Sequence, residues 1–196
     1  WDDISSAPKG REEERRGTAG LFFPYKVVCA AAEDGMAMDA LIKLAEKTRD
    51  NTRTLSVAIK SGAHPETGLP TFSLPEDEIE VGMGVHGEAG TGRMKMPTAK
   101  ELTEYMLKKI IEDKPFCAGD QVGILLNNAG AMTRMELMII YKHIARIVEE
   151  KGINIVRNWV GTYVTTQEMA GFSIAVCKMD EEILNYYDYA ADSPLF

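Results

Sequence analysis

The segment of this sequence best suited to chemistry is Ile79-Glu80-Val81-Gly82-Met83-Gly84-Val85-His86-Gly87-Glu88. Read as a strand over 79–85, it places Ile79, Val81, Met83 and Val85 on one face and Glu80, Gly82, Gly84 and His86 on the other. The first face is apolar and suits a core. The second has two positions without a side chain, followed by an imidazole at the strand's end. Glycine weakens a strand interior and often marks the close approach of a ligand or another backbone. Gly82 and Gly84 therefore read as space cleared beside His86. A neutral imidazole can attack a carbonyl carbon, and an unperturbed pKa near ~6.5 leaves most of it neutral at pH 7. The alternative is a structural histidine capping the strand.

Other chemistries match less well. Gly82 to Gly87 fits the spacing of a dinucleotide-binding fingerprint, but no helix signal appears before Pro97, so a pyrophosphate would have no helix N-terminus to sit on. Gly87 to Gly92 has the glycine spacing of a phosphate loop, yet Arg93 and Met94 stand where Lys and Ser/Thr are required. His64 falls in a loop and His143 on a helix surface, so neither spacing supports a three-histidine metal site. Cys29, Cys117 and Cys177 are odd in number and far apart. They read as small buried hydrophobes in a reducing compartment.

The elements around this segment follow from periodicity. Helices are predicted over 19–33 and 37–49, separated by the stop signal Asp34-Gly35. A strand follows at 54–59, then a punctuated loop over 62–77 and the histidine-bearing strand. Capping boxes Thr98/Glu101 and Thr133/Glu136 open helices over 98–112 and 133–150. Strands are expected at 122–126, 153–160 and 172–179, and a short helix at 180–188. This order predicts an α/β fold of mixed α+β character: a two-layer arrangement with a mixed sheet covered by helices.

The chain has 196 residues and a net charge of −8, with 45% hydrophobic and 27% charged residues. These values fit one globular domain and argue against a general polyanion-binding surface. No run approaches the ~20 apolar residues of a membrane span. The sequence begins at Trp1, with no secretory signal pattern, and reads as a piece of a longer polypeptide. Residues 1–17 are crowded with charge and read as a solvated linker from a preceding domain, with 18–196 forming the folded unit.

Four ordered stretches then carry a resemblance. Val81 to Gly90 closely resembles a signature of dihydroxyacetone kinases, in their substrate-binding K subunit. Arg15-Arg16-Gly17-Thr18-Ala19-Gly20 resembles the Arg-Arg-Gly segment that opens the second domain of that subunit. Leu125 to Ala131 with Met135-Glu136-Leu137, and Gly161-Thr162-Tyr163 with Glu168 to Ser173, resemble two further family segments. The resemblance runs from about Arg15 to the end of the chain.

The resemblance implies a chemistry that agrees with the residues. The histidine of the family motif forms a covalent hemiaminal with the C2 carbonyl of a short ketose, and the matching position is His86, with Gly84 in the substrate-binding stretch. Covalent capture selects carbonyl sugars over polyols. Arg15 and Arg16 fall in a segment that could approach the phosphoryl path or form plain ion pairs. The resemblance also implies a preceding domain carrying the groups that activate the hydroxyl. ADP or ATP with Mg²⁺ would belong to a separate L subunit or domain, so no cofactor is expected on this chain. A homodimer in the cytoplasm is implied, with no nucleic acid bound directly. Asp192-Ser193-Pro194-Leu195-Phe196 resembles the natural end of a stand-alone K subunit, the form in which a separate L subunit bears ADP that a phosphotransferase-system protein re-phosphorylates. Ala89, the Ser61-Gly62-Ala63-His64 stretch, Ala129 and Met132 depart from the family pattern and leave the sugar open. Kinases of four-carbon sugars and non-catalytic dihydroxyacetone-sensing coactivators share the same motifs.

Overall fold

A computed structural model describes residues 1–192; the C-terminal segment read as a natural chain end lies, beyond Asp192, outside the described residues. The chain runs α1 (Phe22–Glu33), α2 (Met38–Asp50), β1 (Thr52–Lys60), β2 (Glu78–Val81), β3 (Gly92–Lys95), α3 (Ala99–Asp113), β4 (Gln121–Asn128), α4 (Arg134–Glu150), β5 (Asn154–Gly161), β6 (Ala170–Lys178) and α5 (Glu181–Tyr187). The six strands form one mixed sheet in the order β3-β2-β1-β6-β4-β5. Only β4 and β5 pair in parallel, joined by α4 as the crossover. The other neighbours are antiparallel.

The sheet is mixed and covered by helices, as expected, but the helices lie on both faces and make three layers. Alternation along the central strands explains why. Ile124 and Leu126 of β4, with Phe172, Ile174 and Val176 of β6, pack against α3 and α4. Leu125, Ala175 and Cys177 point the other way, against α1, α2 and α5. Strands buried on both faces read as continuous apolar runs, which is how β4 appears in the sequence. Both capping boxes form, with Thr98 and Thr133 accepting from the backbone N–H groups of Glu101 and Glu136. Among the described residues no helix is long and apolar enough to cross a membrane.

The first residues depart most from expectation. Residues 8–14 are largely exposed, but Asp2, Asp3, Ala7 and Arg15 are buried. Residues 2–4 run beside β1 where β2 has stopped. The Thr54 N–H donates to the Asp2 carbonyl at 2.8 Å, and the Ile4 N–H to the Thr54 carbonyl at 3.1 Å. The Asp2 carboxylate accepts from the Thr18 and Gly20 N–H groups, which a solvated linker would leave to water. The charge density that suggested solvation supplies buried partners instead.

Arg15 pairs with Asp113. Its side chain is wholly enclosed, 0% exposed, and its Nη1 donates to Asp113 Oδ1 at 2.9 Å. Arg53 donates to the same carboxylate. Arg15 is thus held in an ion pair inside the fold. The cysteines also divide. Cys177 is buried and its thiol is pushed up to about 12 by that burial, while Cys29 and Cys117 are exposed.

Burial would raise the Asp113 carboxyl, but hydrogen bonds and charge from Arg15 and Arg53 outweigh it and hold the group below its usual range. A depressed folded-state value means that its stabilisation is complete above the unfolded-state pKa of about 3.9 and is lost as the pH falls through the folded value. Removing this carboxylate strands two guanidinium groups. Asp113→Ala should therefore lower the unfolding free energy by about 3 kcal/mol in urea titrations at neutral pH. The variant should also lose less stability than the parent between pH 5 and pH 2, on the order of the same contribution.

Candidate active site around His86

The strand expected over 79–85 ends at Val81. Gly82 has φ +77, a left-handed conformation that breaks the alternation. Ile79 and Val81 enter the main core, whereas Met83 turns to the opposite face and packs with Ala58, Ala129 and Met169. Residues 82–91 form a tight loop that leads into β3. The Thr91 N–H closes it on the Val81 carbonyl at 2.8 Å, and the Gly84 N–H donates to the Glu88 carbonyl at 2.9 Å. Gly90 is compelled to lack a side chain, because a Cβ there would lie 1.9 Å from the Val81 carbonyl oxygen. The missed strand β3 gave little signal: Gly92-Arg93-Met94-Lys95 has one half-buried residue and pairs only with β2. It also means that the glycines of this loop lead into a strand, so a nucleotide phosphate finds no helix N-terminus here.

The space beside each of the two glycines is taken by neighbouring side chains. A Cβ on Gly82 would meet Ser5 Cβ at 2.4 Å, so that glycine lets the N-terminal segment close in. A Cβ on Gly84 would lie 2.2 Å from Glu88 Oε2 and 2.8 Å from Arg16 Nη1. Gly84 thus leaves room for a carboxylate and a guanidinium to converge beside His86. Arg16 is held in place from behind. Its Nη2 donates to Asp3 Oδ2 at 2.7 Å and to the Gly82 carbonyl at 3.0 Å, and its Nε donates to Asp3. The Ser5 hydroxyl also donates to Asp3. Burial pushes the Asp3 carboxyl above its usual range, against the bonds from Ser5 and Arg16. The Arg16 side chain remains 26% exposed, unlike Arg15.

His86 sits at the loop's tip with its side chain 84% exposed. Its backbone N–H donates to Glu88 Oε2 at 2.9 Å, and its Nδ1 lies 3.3 Å from Glu88 Oε1. The partial burial of Glu88 opposes ionisation, but hydrogen bonds from its own backbone N–H and from His86 bring its carboxyl below the usual range. The loop is also tied to the turn before β6, where the Thr166 hydroxyl donates to the Val85 carbonyl. That turn contains Glu168 at φ 59, the only non-glycine positive φ among the described residues. On the far side of the loop, Glu80 accepts from the Gly90 N–H at 3.2 Å and from Arg93 at 3.1 Å.

His86 and Arg16 therefore meet around Gly84, while Arg15, His64 and His143 take no part. Among the described residues no group of three or more His, Cys, Asp or Glu side chains could hold a metal ion. Sequence reasoning missed Asp3, Ser5, Glu88 and Thr166 as supports. Of these only Glu88 had a local signal, two positions after the histidine and on the same side of the motif. Chemically the arrangement presents an open imidazole, with one ring nitrogen on a carboxylate and the other facing outward.

The dihydroxyacetone-binding subunit DhaK of a phosphotransferase-system-dependent kinase 2 from Listeria innocua is 37% identical over all of this chain, which covers 58% of it. A D-erythrulose kinase from Mycolicibacterium smegmatis is 36% identical, again over the whole chain and over 34% of its own length. Among solved structures, the dihydroxyacetone kinase operon co-activator DhaQ superimposes with a TM-score of 0.86 at 28% identity, covering 94% of this chain and 57% of that one. The chain thus spans between a third and three-fifths of these relatives. The Dak1 domain matches residues 1–195, and the chain belongs to that family.

Proposed function

We propose that this chain is the ketose-capturing part of a dihydroxyacetone-type kinase, in which His86 forms a hemiaminal with the carbonyl carbon of a short-chain ketose. The observation that carries the reading is the placement of His86. Its ring is exposed at the tip of a loop that is anchored on both sides, and Nδ1 is engaged while Nε2 has no partner among the described residues. An imidazole used only for structure would more commonly be buried with both nitrogens satisfied. The family relationship supplies the substrate class, through relatives named for dihydroxyacetone and D-erythrulose.

In this proposal the chain supplies the anchor, and other parts of the enzyme supply the rest. An imidazole this exposed is not shielded from water by its own chain, and acyl, phosphoryl and carbonyl chemistry all gain from its exclusion. A preceding domain of the same subunit would close over His86 and activate the terminal hydroxyl. A nucleotide-carrying L subunit, with ADP or ATP and Mg²⁺, would deliver the phosphoryl group. This assembly would work in the cytoplasm, as a homodimer. The 196 residues alone should then fold and capture ketose without turning it over.

A second reading is favoured by the similarity to DhaQ: a sensor that captures dihydroxyacetone and transfers no phosphoryl group. Two experiments separate these cases. Intact-mass spectrometry of the full-length protein with dihydroxyacetone should show an adduct that is absent in His86→Ala, while the variant's thermal midpoint moves by less than about 2 °C, since an exposed side chain is removed. An adduct that survives His86→Ala overturns the anchoring role. Turnover by the full-length protein with a nucleotide-carrying L subunit supports the kinase, and capture without turnover supports the sensor.

A further inference from the structure

The carboxylate of Glu88 is arranged to do more than shape a loop. Each of its oxygens meets His86: Oε2 accepts the backbone N–H of that residue, and Oε1 faces its Nδ1. This fixes the ring relative to its own backbone. A carboxylate is an acceptor only, so Nδ1 must carry the hydrogen, and the other nitrogen, Nε2, is left with its lone pair. The pair is built into the fold and not into a flexible surface contact. Gly84 lacks the Cβ that would collide with Oε2, and the Gly84 N–H is bonded to the Glu88 carbonyl. Arg16, clamped on Asp3 and on the Gly82 carbonyl, brings its Nη1 to the same empty Cβ position without forming an ion pair with Glu88. A positive charge is thus held close to the carboxylate but does not compete for its oxygens.

We propose that Glu88 is the positioning residue of the ketose-capture site, setting the His86 tautomer with Nε2 free and accepting the Nδ1 proton as the covalent bond forms. The proposal rests on the reading of His86 as the covalent anchor. The Nε2 lone pair forms a bond to the carbonyl carbon, and the C=O π pair moves to oxygen, which takes a proton from water. The Nδ1–H proton passes to Glu88, and the ring electrons shift so that the alkylated imidazole is neutral. Glu88 then returns its proton to the hydroxide left by that water. No redox change occurs and no further reactant is needed. Without an acceptor at Nδ1 the adduct would be an imidazolium, a better leaving group, and capture would reverse more readily.

Two measurements on the full-length protein test this. The first uses ¹⁵N NMR of the His86 ring with no ketose present. The parent should show protonated Nδ1 and bare Nε2, and Glu88→Ala should show a mixture of tautomers. The second follows adduct formation with dihydroxyacetone. Glu88→Gln and Glu88→Ala should slow it by about 100-fold, and Glu88→Asp, which keeps a carboxylate, should recover part of the rate. Unchanged ring shifts in Glu88→Ala, or a Glu88→Gln rate within about twofold of the parent, overturn the proposal. The NMR arm needs no ketose, so it reports on Glu88 even where the parent forms no adduct, a result that would remove the His86 reading instead.

Discussion

The geometry around His86 depends on the ion pair between Asp3 and Arg16. Asp3 comes from a segment that runs along β1 beyond the end of β2, and Arg16 from the chain just before α1. Their pairing is only part of the contact. Arg16 also reaches the Gly82 carbonyl, and Ser5 packs on Gly82 itself, so the start of the histidine loop is fixed by residues some seventy positions earlier. Burial raises the carboxyl of Asp3 above its usual range, and the donors of Ser5 and Arg16 act against that shift. Such a pair adds little net stability when compared with apolar packing, but it gives the loop one register. The opposite end is tied by Glu80 to the Gly90 N–H and by Thr166 to Val85. The imidazole is thus exposed on a loop tied at both ends, as the proposed covalent anchor would require.

The layering explains why such a loop is available. β2 is only four residues long and β3 is peripheral, so the sheet thins on this side. α1, α2 and α5 cover the central strands but leave the region around Ala58, Ala129 and Met169 to Met83 and Phe72. This small satellite cluster is what the loop gains by folding back. Burying the Met83 side chain contributes about 2 kcal/mol by area, enough to hold a loop but far from the contribution of the main core.

Much of the fold was legible because its signals were local and strong. The two capping boxes, the apolar run of β4 and the stripe on α4 each placed an element within one or two residues of where it lies. At the candidate site the sequence singled out His86 and the Arg-Arg-Gly segment, but not where each arginine lies. Arg15 and Arg16 are adjacent and alike in sequence, yet one pairs with Asp113 inside the fold and the other reaches the loop. Only long-range contacts separate them. Period-two alternation also misled at Gly82, where a positive φ reverses the direction of Met83. The burial of Asp2 and Asp3 had no signal for a similar reason: composition reports charge, and their partners lie further along the chain.

The account stands on covalent capture at one imidazole. ¹³C NMR of the full-length protein with dihydroxyacetone labelled at C2 tests this most directly. The account expects the bound C2 signal to leave the carbonyl region and appear as a saturated carbon bonded to nitrogen and oxygen, coupled to a ¹⁵N-labelled His86 ring. A bound ketose whose C2 stays in the carbonyl region, or shows no coupling to that ring, would contradict it.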